Sequence, residues 1–101
     1  PAAGHSLVVV LAAAGYPGSP RSGDPIEGLE AAAAVPGVRV YHAGTRLTDG
    51  RVVTAGGRVL GVTGTGHSLA AAREAAYRAV GEVRFAGMHC RQDIGRRVLG
   101  P

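Results

Sequence analysis

Hydrophobic and polar positions alternate between two rhythms along this chain. Ser6 to Ala14, SLVVVLAAA, is continuously apolar and β-branched in its middle, the pattern of a strand buried on both faces. The run stops at Gly15. The next eleven residues, GYPGSPRSGDP, hold three glycines and three prolines, which excludes a helix or a central strand and predicts a loop. Ile26 to Val35, IEGLEAAAAV, has helical composition weakened by Gly28, and it ends before Pro36-Gly37. Val38 to Thr45 alternates and predicts a strand. Thr48-Asp49-Gly50 predicts a hairpin turn, because Asp-Gly readily takes positive φ. Arg51 to Thr54 then returns as its partner. Ala55-Gly56-Gly57 turns again, and Arg58 to Thr63 is a further strand, so an antiparallel meander is expected.

The second rhythm belongs to Ser68 to Val83. Leu69, Ala72, Ala76, Ala79, Val80 and Val83 recur at spacings of three and four, the apolar stripe of a helix. Arg73, Glu74, Arg78 and Glu82 fall on its polar side, and Ser68 is placed to cap its first turn. The tail, FAGMHCRQDIGRRVLGP, has no clear period and predicts a docked loop with one short helical turn. The expected fold is α+β: a small, mostly antiparallel sheet of about four strands, with one long helix and one short one packed on it.

Composition narrows this. At 101 residues the chain is one domain, residues 1–101, with a single modest core. Apolar residues reach 46%, but most are Ala and Val and aromatics are sparse. Such a core is thin, and the domain is expected to rest against another. The opening PAAGHS has no initiator Met and no signal-peptide pattern, so a piece of a longer protein is expected. No apolar run approaches the ~20 residues that span a bilayer, and no membrane partner is expected. The single cysteine, Cys90, fits a reducing, cytoplasmic setting.

Net charge is +4, and all 11 basic residues are arginines. Only Arg96 and Arg97 are adjacent. A nucleic-acid surface shows a basic cluster, and a single-strand binder adds stacking aromatics; neither stands out, so no nucleic-acid partner is expected.

One stretch tests a nucleotide site directly. Gly61 to Ser68, GVTGTGHS, matches G-x-x-x-x-G-K-[ST] except that His67 replaces the lysine. A phosphate loop needs that permanent charge beside its backbone N–H groups, and histidine is mostly neutral at pH 7. No acidic strand follows to complete a magnesium site. The reading adopted is a glycine-rich turn between strand and helix.

Two segments suit an anionic ligand. Gly15-Tyr16-Pro17-Gly18 with Arg21 offers close backbone approach and a guanidinium, or else forms a rigid surface loop. Arg91 and Asp93 either clip the tail as an ion pair or present Arg91 to a cleft. Arg58, after Gly56-Gly57, reaches a cleft or lines an interdomain face. His42 reads as a hydrogen-bonded residue beside a turn. His89-Cys90 lacks companions, so no metal site is expected, and no carboxylate pair or nucleophile–base arrangement marks a catalytic residue.

Four stretches in order say more than any of these alone: AAAGYPGSPRSGDPIEGLE from Ala12, VYHAGTRL from Val40, VVTAGGRVLGVT from Val52, and AYRAVGEVRFAGMHCRQDIG from Ala76. The series resembles the C-terminal domain of the phosphoribosylamine–glycine ligases, also called glycinamide ribonucleotide synthetases, over nearly the whole chain. It departs at Tyr41, where Phe is commoner, at Ser22, where a lysine often stands, and at Cys90 and Gln92. The resemblance implies a part of an ATP-grasp enzyme that joins glycine to 5-phosphoribosylamine in purine synthesis, through an acyl phosphate. It implies that ATP and magnesium bind upstream, with no cofactor in this piece. It implies that the domain packs on the ATP-grasp core of the same polypeptide, walls the cleft and is inactive alone. Substrate contacts are then expected from Gly15, Tyr16, Pro17, Gly18, Arg21, Arg58, Arg91 and Asp93. The rival readings are an arginine-rich nucleic-acid module and the equivalent domain of another ATP-grasp enzyme, such as a biotin-dependent carboxylase.

Overall fold

A computed structural model of the chain describes residues 4–15, 18, 22–93 and 97–98. Nine elements follow in order: β1 (Gly4–Ala12), α1 (Leu29–Ala33), β2 (Val38–His42), β3 (Thr45–Thr48), β4 (Arg51–Thr54), β5 (Arg58–Gly66), α2 (Leu69–Val80), β6 (His89–Asp93) and β7 (Arg97–Val98). The main sheet runs β2-β5-β1-β6, with β7 also on β1, and every pairing in it is antiparallel. The α+β class is as expected.

The apolar run of β1 places it at the sheet's centre, but it is not sealed on both sides. Leu7, Val9 and Leu11 are wholly buried, whereas Val8 and Val10 are only half-buried. The buried face packs beneath α2 with Leu60 and Val62 of β5. No helix among the described residues covers the other face. A continuous apolar run therefore disguised an ordinary one-sided strand.

The expected meander is also corrected. Val38 to Thr45 splits into β2 and β3 at Ala43-Gly44. β2 leaves the hairpin and pairs directly with β5, Val40 opposite Val62. β3 and β4 form a separate two-stranded ribbon. Its turn is the expected one: Asp49 and Gly50 take φ of 50° and 75°, the paired positive values of a type I′ hairpin. Arg58 to Thr63 extends to Gly66, so all of GVTGTG is strand, none of its three glycines takes a positive φ, and only His67-Ser68 turns.

Two of those glycines, Gly64 and Gly66, serve packing. A Cβ on Gly64 would lie 2.2 Å from the Ala72 carbonyl oxygen and 2.5 Å from the Ala76 nitrogen. Small residues on both sides, Gly64 and Gly66 against Ala71, Ala72 and Ala76, let α2 settle directly onto β5. The thin core follows: among the described residues its largest fully buried side chains are leucines, valines and Thr54, with no aromatic among them.

The helix spans 12 residues, three turns, shorter than the expected 68–83. Ala72, Ala76, Ala79 and Val80 are buried as its period requires, while Leu69 stays exposed. The Ser68 hydroxyl accepts the Ala71 N–H at 3.1 Å. Ser68→Ala should cost about 1 kcal/mol, read as a lower denaturation midpoint at unchanged slope. Arg73 stacks over the Tyr77 ring, 5.5 Å from its centroid. Helix α1 has only five residues, because Gly28 is its N-cap in left-handed conformation rather than an interior weakness. The segment that followed α2 as an expected loop instead returns as β6 and β7, docked against β1.

Candidate functional site

Strand polarity gathers the motif stretches. β1 and β2 both run toward the same end of the sheet, and β5 and β6 both begin there. Ala12 lies opposite Arg58 on one side and His89 on the other, while His42 lies opposite Leu60. The chain just beyond β1 holds on to this end, since the Ala13 N–H donates to the Gly57 carbonyl at 2.8 Å. The loop that begins with Gly15 therefore leaves the sheet beside Gly57 and Arg58. Its root is tight: Gly15 has φ of 88°, and the Gly18 N–H donates to the Gly15 carbonyl at 2.7 Å.

The HAGT turn locks onto the same end. The Ala43 and Gly44 N–H groups both donate to the Val59 carbonyl at 3.0 Å, and the Ala55 N–H donates to the Gly44 carbonyl at 2.8 Å. A Cβ on Gly44 would come within 2.6 Å of the Arg58 carbonyl oxygen, so this crossing needs glycine. His42 is hydrogen-bonded beside the turn as expected, its Nδ1 2.9 Å from Thr45 Oγ1.

On the helix-free face, next to this end, lies an open groove of about 680 Å³. Val8, Val10, Tyr41, Gly61 and Thr63 form its floor, and Gly44, Gly56, Gly57 and Arg58 form its rim. Tyr41 is 53% exposed. The groove joins an apolar floor and a tyrosine ring to glycine backbone and one guanidinium. That combination suits a small ligand with an apolar or sugar-like body and an anionic group.

Of the expected contact residues, Arg58 lines the groove, and Gly15 and Gly18 are exposed at the same end of the sheet. Arg91 and Asp93 fall on β6 at register positions opposite Val10 and Val8. Tyr16, Pro17 and Arg21, and the side chains of Arg91 and Asp93, lie outside the described residues, so the Arg91–Asp93 clip does too. Sequence reasoning missed Tyr41, Thr63, Val8 and Val10 as groove residues. Period-two spacing in β1 would have flagged both valines had the run not been apolar throughout.

The described residues do not fit a magnesium nucleotide. The phosphate-loop lookalike is strand whose backbone is engaged by β1 and β2, and no group of three His, Cys, Asp or Glu side chains converges among the described residues. Partial burial pushes the Cys90 thiol upward, which keeps it protonated and a weak nucleophile. No helix among the described residues is long and apolar enough to cross a membrane.

Comparison with known proteins agrees with the motif series. Phosphoribosylamine–glycine ligase of Synechocystis is 53% identical over 96 residues, which are 95% of this chain and 23% of that protein. The Pseudomonas aeruginosa enzyme of the same name is 54% identical, over 90% of this chain and 21% of its own length. The chain thus spans about a fifth of these relatives. The crystal structure of phosphoribosylamine–glycine ligase from Thermotoga maritima superposes with a TM-score of 0.72 at 39% identity, covering 85% of this chain and 20% of that one. The sequence model described as phosphoribosylglycinamide synthetase, C domain, matches residues 6–97, so the chain belongs to that family.

Proposed function

We propose that this chain is the C-terminal domain of an ATP-dependent ligase that joins glycine to 5-phosphoribosylamine, acting in the cytoplasm in purine biosynthesis. The observation that carries the reading is the asymmetry of the sheet. One face is covered by α2, while the other presents the groove, and this reading seats the rest of the polypeptide and its substrate there. The relatives are about four times as long as this chain, and in this reading a comparable remainder covers that face.

Within this reading the domain is a wall of the substrate cleft. Arg58 supplies a permanent positive charge for the phosphate of phosphoribosylamine. Gly15 and Gly18 stand at the same end of the sheet, Tyr16, Pro17 and Arg21 are counted with them as substrate contacts on the strength of the motif, and Arg91 and Asp93 belong to the strand beside it. Glycines at the rim let the ligand approach the backbone, and Tyr41 offers a flat surface to the sugar. ATP and magnesium supply the activation of the glycine carboxylate when bound, and they bind elsewhere in the polypeptide. The domain's own residues hold and orient the amine-bearing substrate and exclude water from the cleft.

The test compares the 101 residues with the intact polypeptide. The intact protein should form the amide from glycine, ATP and phosphoribosylamine. The isolated chain should show no turnover and no heat of ATP binding by titration calorimetry. Micromolar ATP affinity in the isolated chain would defeat the assignment of the nucleotide to another part of the enzyme.

A further inference from the structure

The ribbon β3–β4 stands apart from the main sheet, yet it is firmly fixed at its base. His42 Nδ1 meets Thr45 Oγ1 at 2.9 Å where β3 begins. Where β4 ends, the buried Thr54 is held three times: its Oγ1 accepts the Asp24 N–H at 3.1 Å, its N–H donates to the Asp24 carbonyl at 2.8 Å, and its carbonyl accepts the Gly23 N–H at 2.6 Å. The Ile26 N–H donates to the Val52 carbonyl at 2.9 Å, so residues 23–26 run along β4 as a third strand-like rail. The tip is a two-residue type I′ turn, whose backbone twist matches that of the two strands it joins.

This rigid support displays Leu47. It is 71% exposed, the highest among the exposed large apolar residues that the structure describes, and lies opposite Val52, which is half-buried against the core. The two form an apolar cross-strand pair on one face of the ribbon, covered at Val52 and bare at Leu47. Single exposed leucines are ordinary on a surface. Here the backbone carrying one is fixed in advance, which removes most of the ordering cost of seating it elsewhere.

We propose that the ribbon is a docking arm and that Leu47 seats in an apolar socket formed by the remainder of the same polypeptide. The inference rests on the reading of the chain as one domain of a longer ligase, and on the length of the relatives: about four-fifths of such a protein lies outside these residues. Docking at the arm would fix the groove, because Gly44 joins the arm's base to the Arg58 carbonyl through the close crossing described above.

The experiment uses the intact polypeptide with p-benzoylphenylalanine replacing Leu47. Irradiation should give an intramolecular cross-link to a peptide outside the 101 residues. In parallel, Leu47→Asp should raise the rate of native-state proteolysis at the domain junction about tenfold or more, the factor expected from losing one buried leucine, while Leu47→Met leaves it unchanged. Cross-links only within these residues, cross-links between two copies, or an unaltered proteolysis rate in Leu47→Asp would each overturn the arm. Ligase assay of the unsubstituted protein separates the two ideas: an active enzyme without the cross-link removes the arm alone, and an inactive protein with it removes the ligase reading and leaves the arm standing.

Discussion

Gly64→Ala should destabilise the domain by about 3 kcal/mol or more, while Gly61→Ala, three residues away in the same strand and the same GVTGTG stretch, should be close to neutral. The difference lies entirely in what the added methyl meets. At Gly64 it would sit 2.2 Å from the Ala72 carbonyl oxygen, 2.5 Å from the Ala76 nitrogen and 2.9 Å from the Ala76 Cβ. Two of these are backbone atoms of α2, which cannot turn aside as a side chain can. The helix must lift from the sheet, and Ala72, Ala76 and Ala79, all wholly buried, lose their contacts together. At Gly61 the nearest atoms are Tyr41 Cβ at 3.9 Å and Val8 Cγ1 at 4.0 Å, which is ordinary contact. A domain of this size has a total stability of roughly 5–15 kcal/mol. The first substitution therefore removes a large share of it. Denaturant titration of both variants decides the matter: equal midpoints would show that α2 does not rest on Gly64 as described.

The same stretch shows where sequence reasoning stopped. Glycine spacing alone fits a phosphate loop, a turn, or a strand packed tightly under a helix. The missing lysine at His67 removed the first. Choosing between the other two needs the neighbour, because a glycine needed for close approach leaves the same letter as one needed for a positive φ. Gly28 shows the converse. It reads as a flaw inside a helix, but its φ of 85° makes it the residue that starts one, beside the reciprocal N–H···O bonds of Glu27 and Arg84 at 2.8 and 2.9 Å. Period was reliable where one face is polar. Helix α2 and the Asp49-Gly50 turn were legible because Arg73, Glu74 and Arg78, or a dipeptide with forced geometry, mark them. β6 was not legible, because HCRQD has neither alternation nor a β-branched residue and owes its strand state to pairing with β1. The groove was half legible. Arg58 announced itself by charge and by its glycine neighbours, but the floor under it consists of Val8 and Val10 from the one run whose faces the sequence could not tell apart.

Arg58 carries the largest expected effect on function. Its side chain is exposed at the groove rim, and its backbone holds the start of β5 against Ala12, so Arg58→Ala should leave the fold intact and change only what the groove binds. If the guanidinium pairs with the substrate phosphate, its loss removes one charge-assisted interaction of about 1.5–3 kcal/mol, or roughly 10- to 150-fold in kcat/KM for phosphoribosylamine. Because the phosphate is remote from the reacting amine, the contact is the same in ground state and transition state. The loss should fall on KM, with kcat and the KM for ATP nearly unchanged. Arg58→Lys keeps the charge but not the planar fork, and should recover only part of the affinity. Inorganic phosphate at millimolar concentration should compete with phosphoribosylamine in the unsubstituted enzyme and lose that competition in Arg58→Ala. A variant whose KM for phosphoribosylamine matches the parent, with phosphate inhibition intact, would mean that the anion is held elsewhere. The groove would then be a surface for the neighbouring domain alone, with Arg58 serving that contact.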